Sequence, residues 1–223
     1  MYAGAIGAKG CQGDAKGMNE RFEQLLEEMR GCTLCASHLP LGPRPLFLGR
    51  PSARLLIISQ APGVRAHETA LSFNDRSGDR LRAWLGIGRE EFYDESRVAI
   101  LPMGFCYPGR DEKGGDLPPR PECAPHWHPR VRALLPNIAL TLLAGGYAVR
   151  YYRPQEKTRP LSLTLARWRE HAPDLFLLPH PSWRTTQWLA RNPWFEREAL
   201  PELRARVRRA LNPKPRSAPC PCR

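Results

Sequence analysis

The sequence predicts an α/β domain of three layers, with helices on both faces of a central, mainly parallel four-stranded sheet. Two observations predict it. Four short runs are apolar nearly throughout: Arg54–Ser59 (RLLIIS), Val98–Met103 (VAILPM), Ile138–Leu143 (IALTLL) and Leu175–Leu178 (LFLL). Strands buried on both faces read this way. The runs are separated by long stretches with helical signals, not by two-residue hairpin turns. Sites on such sheets gather at the carboxyl ends of the strands, so the residues just past each run matter most.

Residues 1–18 are small, Gly/Ala-rich and unpatterned and are expected to be disordered, with Met18 a candidate start. Residues 19–37 place Phe22, Leu25, Leu26 and Met29 at helical spacing. That helix is expected to end near Gly31 and to deliver Cys32-x-x-Cys35. A proline-rich connection runs from Pro40 to Pro51. The first strand leads into Gln60-Ala61-Pro62-Gly63. Ser77-Gly78 open a helix with Leu81, Trp84 and Leu85 inward. The second strand precedes a Gly/Pro-rich loop, Cys106–Pro121. Residues 122–135 read as helix, and the third strand ends at Gly145-Gly146. Leu161–His171 read as helix, and the fourth strand leads to His180, set between Pro179 and Pro181. Prolines fix φ, so this loop should be stiff. Trp194–Leu211 are mostly helical, with Pro201 tolerated in a first turn. One domain over residues 19–211 is expected, then a disordered tail, 212–223.

The chain has 223 residues, 42% of them hydrophobic, and a formal net charge of +12. That balance favours polyanionic partners, nucleic acid first. Only five of the 34 basic residues are lysine, leaving 29 arginines, a bias that genome composition also produces. No apolar run approaches a membrane span, and the N-terminal stretch lacks a long apolar segment. A cytoplasmic, monomeric protein is expected. The seven cysteines are odd in number, which argues against a disulfide framework. Four of them, Cys32, Cys35, Cys106 and Cys123, fall inside the patterned region. Four thiolates suit either a 4Fe–4S cluster or tetrahedral zinc, and spacing alone does not choose. They could equally be small core residues. The scattered histidines argue against a zinc hydrolase.

QAPG after the first strand, SFNDRSG at residues 72–78 and HPS at residues 180–182 together resemble the uracil-DNA glycosylase superfamily. The cysteines, with 16 residues between Cys106 and Cys123, resemble its iron–sulfur branch. Within it, the segments PMGFCYPG and NPWFE resemble a group of bacterial glycosylase-like proteins. The resemblance covers roughly residues 20–210. It implies a monofunctional DNA-repair glycosylase that flips uracil or another deaminated base out of DNA, single- or double-stranded. It favours iron over zinc, in a structural role.

The resemblance also implies the site. Gln60, Ala61, Pro62 and Gly63 would read the edge of the extruded base, or form a plain strand-to-helix turn. Phe73 would stack on the base, or lie in the core. His180, neutral, would donate a hydrogen bond to the departing base oxygen. Family members often carry an acid in the first motif. This chain has Gln60-Ala61 there, so Gln60 and Asp75 join His180 as catalytic candidates, with Glu68 behind Asp75. Asp75 could instead cap a helix. Ser182, Trp183 and Arg184, with Trp188 beyond them, would enter the groove and contact phosphates. Trp194 and Phe195 are expected in the core. Relatives place an asparagine where this chain has Pro102, which draws strict uracil specificity, and turnover itself, into question. His67 and Asn74 are candidate substitutes. A non-catalytic iron–sulfur module that binds DNA is the alternative.

Overall fold

In the computed structural model, which describes residues 9–213, the four apolar runs become parallel strands. They are β1 (Leu55–Ser59), β2 (Val98–Pro102), β3 (Leu140–Ala144) and β4 (Leu175–Leu178), side by side in the order β2-β1-β3-β4. All three pairings are parallel. The strands alternate their side chains between two cores, as the pleat requires. Leu55, Ile57, Val98, Ile100, Leu142 and Phe176 face one core. Leu56, Ile58, Ala99, Leu101, Leu143 and Leu177 face the other.

The first core is closed by α3 (Arg76–Leu85), α4 (Arg89–Tyr93) and α9 (Leu200–Leu211), through Leu81, Trp84, Phe92, Leu203 and Val207. The second is closed by α1 (Lys9–Arg30), α5 (Cys123–Ala133), α6 (Gly146–Tyr152) and α7 (Leu161–Ala166), through Phe22, Met29, Trp127, Val149 and Leu165. The expected three-layer α/β/α architecture is the one observed. The Pro40–Pro51 connection runs beside β2, where Leu48 and Ile100 exchange backbone hydrogen bonds of 3.2 and 2.7 Å.

Some boundaries differ from the sequence reading. Helix α1 starts at Lys9, so residues 9–18 extend the helix expected from residue 19 instead of being disordered. Residues 1–8 and 214–223 lie outside the described residues. The third strand runs from Leu140 to Ala144, two residues later than expected at its start. The 161–171 helix breaks after Ala166 into a tighter 3-10 turn, Trp168–His171. The short helices α2 (Val64–Thr69), α4, α6 and α8 (Thr186–Arg191) carry no sequence signal of their own. They span 5–7 residues, too few for a periodic apolar stripe to show. Among the described residues no helix is long and apolar enough to cross a membrane.

Strand β1 lies between β2 and β3, so the chain leaves it in one direction and returns on its other side. In an open parallel sheet that reversal leaves a crevice at the carboxyl ends.

Candidate active site

A cleft of about 830 Å³ occupies that crevice. The ends of β1, β2, β3 and β4 all contribute to it, through Ser59–Gly63, Pro102, Gly145 and Pro179–His180.

His180 lies two residues past β4, and Pro179 and Pro181 on either side of it are buried. Its backbone carbonyl accepts from the Thr185 hydroxyl. The loop beyond it is tied down by Arg80 of α3, which donates to the Ser182 carbonyl at 2.6 Å and to the Thr186 hydroxyl at 3.2 Å. The imidazole packs against Gly145, whose φ is +95°. A Cβ there would stand 3.2 Å from the His180 Cβ, so glycine gives the ring its place. Desolvation pushes the His180 pKa down to about 4, against an opposing pull from the Asp75 carboxylate. The ring is therefore neutral at pH 7 and keeps one N–H to donate.

Gln60, Ala61, Pro62 and Gly63 line the cleft beside it. Ser59, at the end of β1, adds a nearly buried side chain to the same wall. Phe73 also lines the cleft, half-buried, with its edge to Phe92 at 6.0 Å. It therefore belongs to both core and cleft. Its backbone has φ +58°, a conformation costly for a side-chain-bearing residue. The surroundings fix it there. Buried Arg82 donates to the Phe73 carbonyl at 3.2 Å, and Tyr93 donates to the Ser72 carbonyl at 2.9 Å. Gly78 lets the chain fold this tightly: a Cβ on it would fall 1.7 Å from the Phe73 oxygen.

Asp75 lines the cleft and also caps α3, accepting from the Gly78 N–H at 2.9 Å. Glu68, His67 and Asn74 do not line it. Asn74 is taken by Arg89 at 2.8 Å, and His67 lies against Tyr107. Pro102 is on the cleft floor. Behind it, fully buried His128 holds Nε2 at 2.9 Å from the Pro102 carbonyl and Nδ1 at 2.7 Å from the Tyr152 hydroxyl. A carbonyl only accepts, so Nε2 carries the proton and the tyrosine donates to Nδ1. Burial pushes the His128 pKa down to about 4.

The rim is formed by Ser182, Trp183 and Arg184. Trp183 is 76% exposed, with the Arg184 guanidinium 5.6 Å from its ring centre. Trp188 lines the cleft but is half-buried against Trp194 and Phe195, so it is wall and not wedge. Phe195 is core as expected, and Trp194 is partly buried against both cores.

The opposite wall has no distinct signal in the sequence. It is a small hairpin, Arg110–Asp116, inside the loop between Cys106 and Cys123. It places Asp116 in the cleft. Nothing in its Gly-Gly-Asp sequence distinguishes it from an ordinary turn. Gly145-Gly146 and the arginine of DRLR are visible as residues, but their packing on His180 and its loop is not.

The four cysteines are free and gather beside α1 and α5. Cys35, Cys106 and Cys123 are buried and Cys32 is half-buried. Each of the three buried thiols is held above its ordinary pKa, chiefly by desolvation, and feels the other cysteines as neighbours. Cys106 is pushed up to about 11 and Cys123 to about 12. The Phe105 N–H donates to the Cys123 sulfur at 3.3 Å. Among the described residues no three His, Cys, Asp or Glu side chains are placed to hold a single metal ion.

A family model, Uracil DNA glycosylase superfamily, matches residues 46–204. The match takes in the β1 turn, Phe73, Asp116, Cys106, Cys123 and His180, and leaves Cys32 and Cys35 before its start. It spans well over half of the 223 residues. With a parallel sheet, a strand-end cleft and a neutral histidine inside it, the chain belongs to the uracil DNA glycosylase superfamily, whose general activity is hydrolytic removal of bases from DNA in repair.

Proposed function

We propose that the cleft excises uracil or another deaminated base from DNA by taking the nucleotide out of the stack. The observation that carries this reading is His180, desolvated, neutral and rigidly held, in the same cleft as Gln60–Gly63 and Phe73. Breaking the bond between C1′ and the base leaves the electron pair on the base. A preorganised N–H aimed at the developing oxyanion stabilises that charge, in a site where water does not compete. Phe73 offers a face to the base, and Gln60 and Ser59 offer donors and acceptors to its edge. Trp183 and Arg184 stand at the rim, where they can fill the gap left in the duplex and meet a phosphate.

The four cysteines fit a 4Fe–4S cluster. They are free, mutually adjacent and mostly buried, with no acid or histidine needed to complete the set. Zinc is the alternative, but a cluster is larger than one ion and calls for sulfurs set further apart. When bound, the group supplies a structural tie and no chemistry at the base. It would join the end of α1 to both feet of the hairpin-bearing loop.

The second reading, a DNA-binding module without turnover, is favoured by one observation. Pro102 offers no side-chain donor to a base edge, and its carbonyl is engaged from behind by His128. One experiment separates the two. The purified protein is incubated with single-stranded and duplex oligonucleotides carrying uracil, hypoxanthine or xanthine, and its visible spectrum is recorded. Catalysis predicts abasic sites on at least one substrate, and the cluster predicts broad absorbance near ~400 nm. Tight binding with no abasic product supports the module instead. A colourless protein with one equivalent of zinc removes the cluster.

A further inference from the structure

We infer that Asp116, not Asp75, is the carboxylate that faces the sugar of the extruded nucleotide and takes the proton of the attacking water. The inference rests on the glycosylase reading and goes beyond it by assigning the water-handling group. The first motif, Gln60-Ala61-Pro62-Gly63, contains no acid, so a carboxylate has to arrive from elsewhere. Asp75 already spends one carboxylate oxygen on the α3 cap, where Oδ1 accepts the Gly78 N–H at 2.9 Å. Asp116 comes from the facing wall. Its Oδ2 stands 3.5 Å from where a Cβ on Gly63 would be, so it lies directly against the acid-free turn. Among the described residues no donor hydrogen-bonds to its side chain. Its nearest cation, Arg110, is 3.9 Å away, too far for a tight pair. The carboxylate is thus in the cleft and uncommitted.

Its electrostatics agree. Desolvation raises the Asp116 pKa; Arg110 and Arg184 oppose the rise, and Asp75 and Asp111 add to it. A carboxylate less comfortable when charged is a stronger base. In the balanced step, the C1′–N bond breaks and its electron pair leaves with the base, whose oxygen accepts from His180. A water oxygen bonds to C1′ and its proton passes to Asp116. Asp116 then releases that proton to solvent, the base anion takes up another, and the products are free base and an abasic sugar.

The test compares wild type, Asp116→Asn and Asp75→Asn in single-turnover excision from an oligonucleotide with one deaminated base. Binding to an abasic oligonucleotide and thermal midpoint are measured alongside. Asp116→Asn should lose about 10²-fold or more in rate, with binding and midpoint unchanged because the residue is half-exposed on a hairpin. The wild-type rate should fall on the acid side, as Asp116 takes up its proton, and the variant should lack that limb. Asp75→Asn, which keeps the α3 cap, should lose less rate than Asp116→Asn, and a larger loss in Asp75→Asn would overturn the assignment. An Asp116→Asn rate within about threefold of an active wild type overturns this assignment alone. A wild type that excises nothing overturns the glycosylase reading and the assignment together.

Discussion

The wall of the cleft that carries Gln60 and His180 hangs from the ends of two buried parallel strands, whereas the facing wall, with Asp116, is a hairpin in the loop between Cys106 and Cys123. The first is fixed by register: Ile58 lies beside Leu143, and Leu143 beside Leu177, so the β1 and β4 ends emerge together. The second is fixed by a few local bonds. The Asp111 N–H donates to the Gly115 carbonyl at 2.8 Å, and the Asp111 side chain accepts from the Lys113 and Gly115 N–H groups at 3.0 and 2.8 Å. Strand ends deliver groups to a point in space through the whole core. A hairpin delivers them only as well as its feet are held, and its feet here are Cys106 and Cys123.

The largest expected effect is on the strand-end side. Gly78→Ala drives a Cβ to within 1.7 Å of the Phe73 carbonyl, and both are pinned. We expect a loss of more than ~3 kcal/mol in urea unfolding, of the kind overpacked sites produce. A loss below ~1 kcal/mol would mean that the Phe73 segment yields easily. The hairpin should behave otherwise. Gly114 has φ +75° but open space around it, so Gly114→Ala should cost only the backbone strain, ~1–2 kcal/mol, confined to the loop and seen in local hydrogen exchange.

Acid should weaken the fold through its histidines. His128 and His180 stay neutral in the fold down to about 4, while the unfolded chain protonates them near ~6.5. Between those values the unfolded state binds more protons, so stability is full above the upper value and is lost as pH falls toward the lower. The hairpin's Asp116, raised, has the opposite and smaller sign. Unfolding free energies from urea titrations at pH 7 and pH 5 should differ by about 3–4 kcal/mol, shared nearly equally by His128 and His180. Equal values would mean that the two rings are hydrated.

Loosening the feet should separate the walls. Cys106→Ser should bleach any cluster and raise proteolytic cleavage within 107–122 about tenfold, equivalent to ~1.4 kcal/mol of local opening. Cleavage elsewhere should be unchanged. Uniform cleavage along the chain would show that the loop and the sheet open as one. The smallest effect concerns Asp75. In urea unfolding, Asp75→Ala should lose ~1 kcal/mol as a missing cap, whereas Asp75→Asn should keep that bond and lose almost nothing.

The same difference explains what is legible in the sequence. A run such as LFLL identifies a buried strand because every residue is apolar, and the HPS after it is then at a strand end by construction. The QAPG turn, Phe73 and the four cysteines stand out on the same logic or through likeness to a family. Asp116 does not. Its position depends on how a glycine-rich loop folds back, and many loops share that composition. Asp75 is legible as both cap and cleft residue, since an aspartate before Ser-Gly at a helix start suits either. Residues 9–18 read as disordered from their small side chains, yet they continue α1, with the helix they precede supplying the nucleus.

The central claim is that the histidine between two prolines stabilises charge on a leaving base. Single-turnover excision by His180→Ala, measured with the thermal midpoint and with binding to an abasic oligonucleotide, tests it most directly. We predict a rate lower by about 10²–10³, the usual loss for one oxyanion donor, with binding nearly unchanged. A folded His180→Ala protein that excises at the wild-type rate would contradict the account and leave LPHPSW a structural loop.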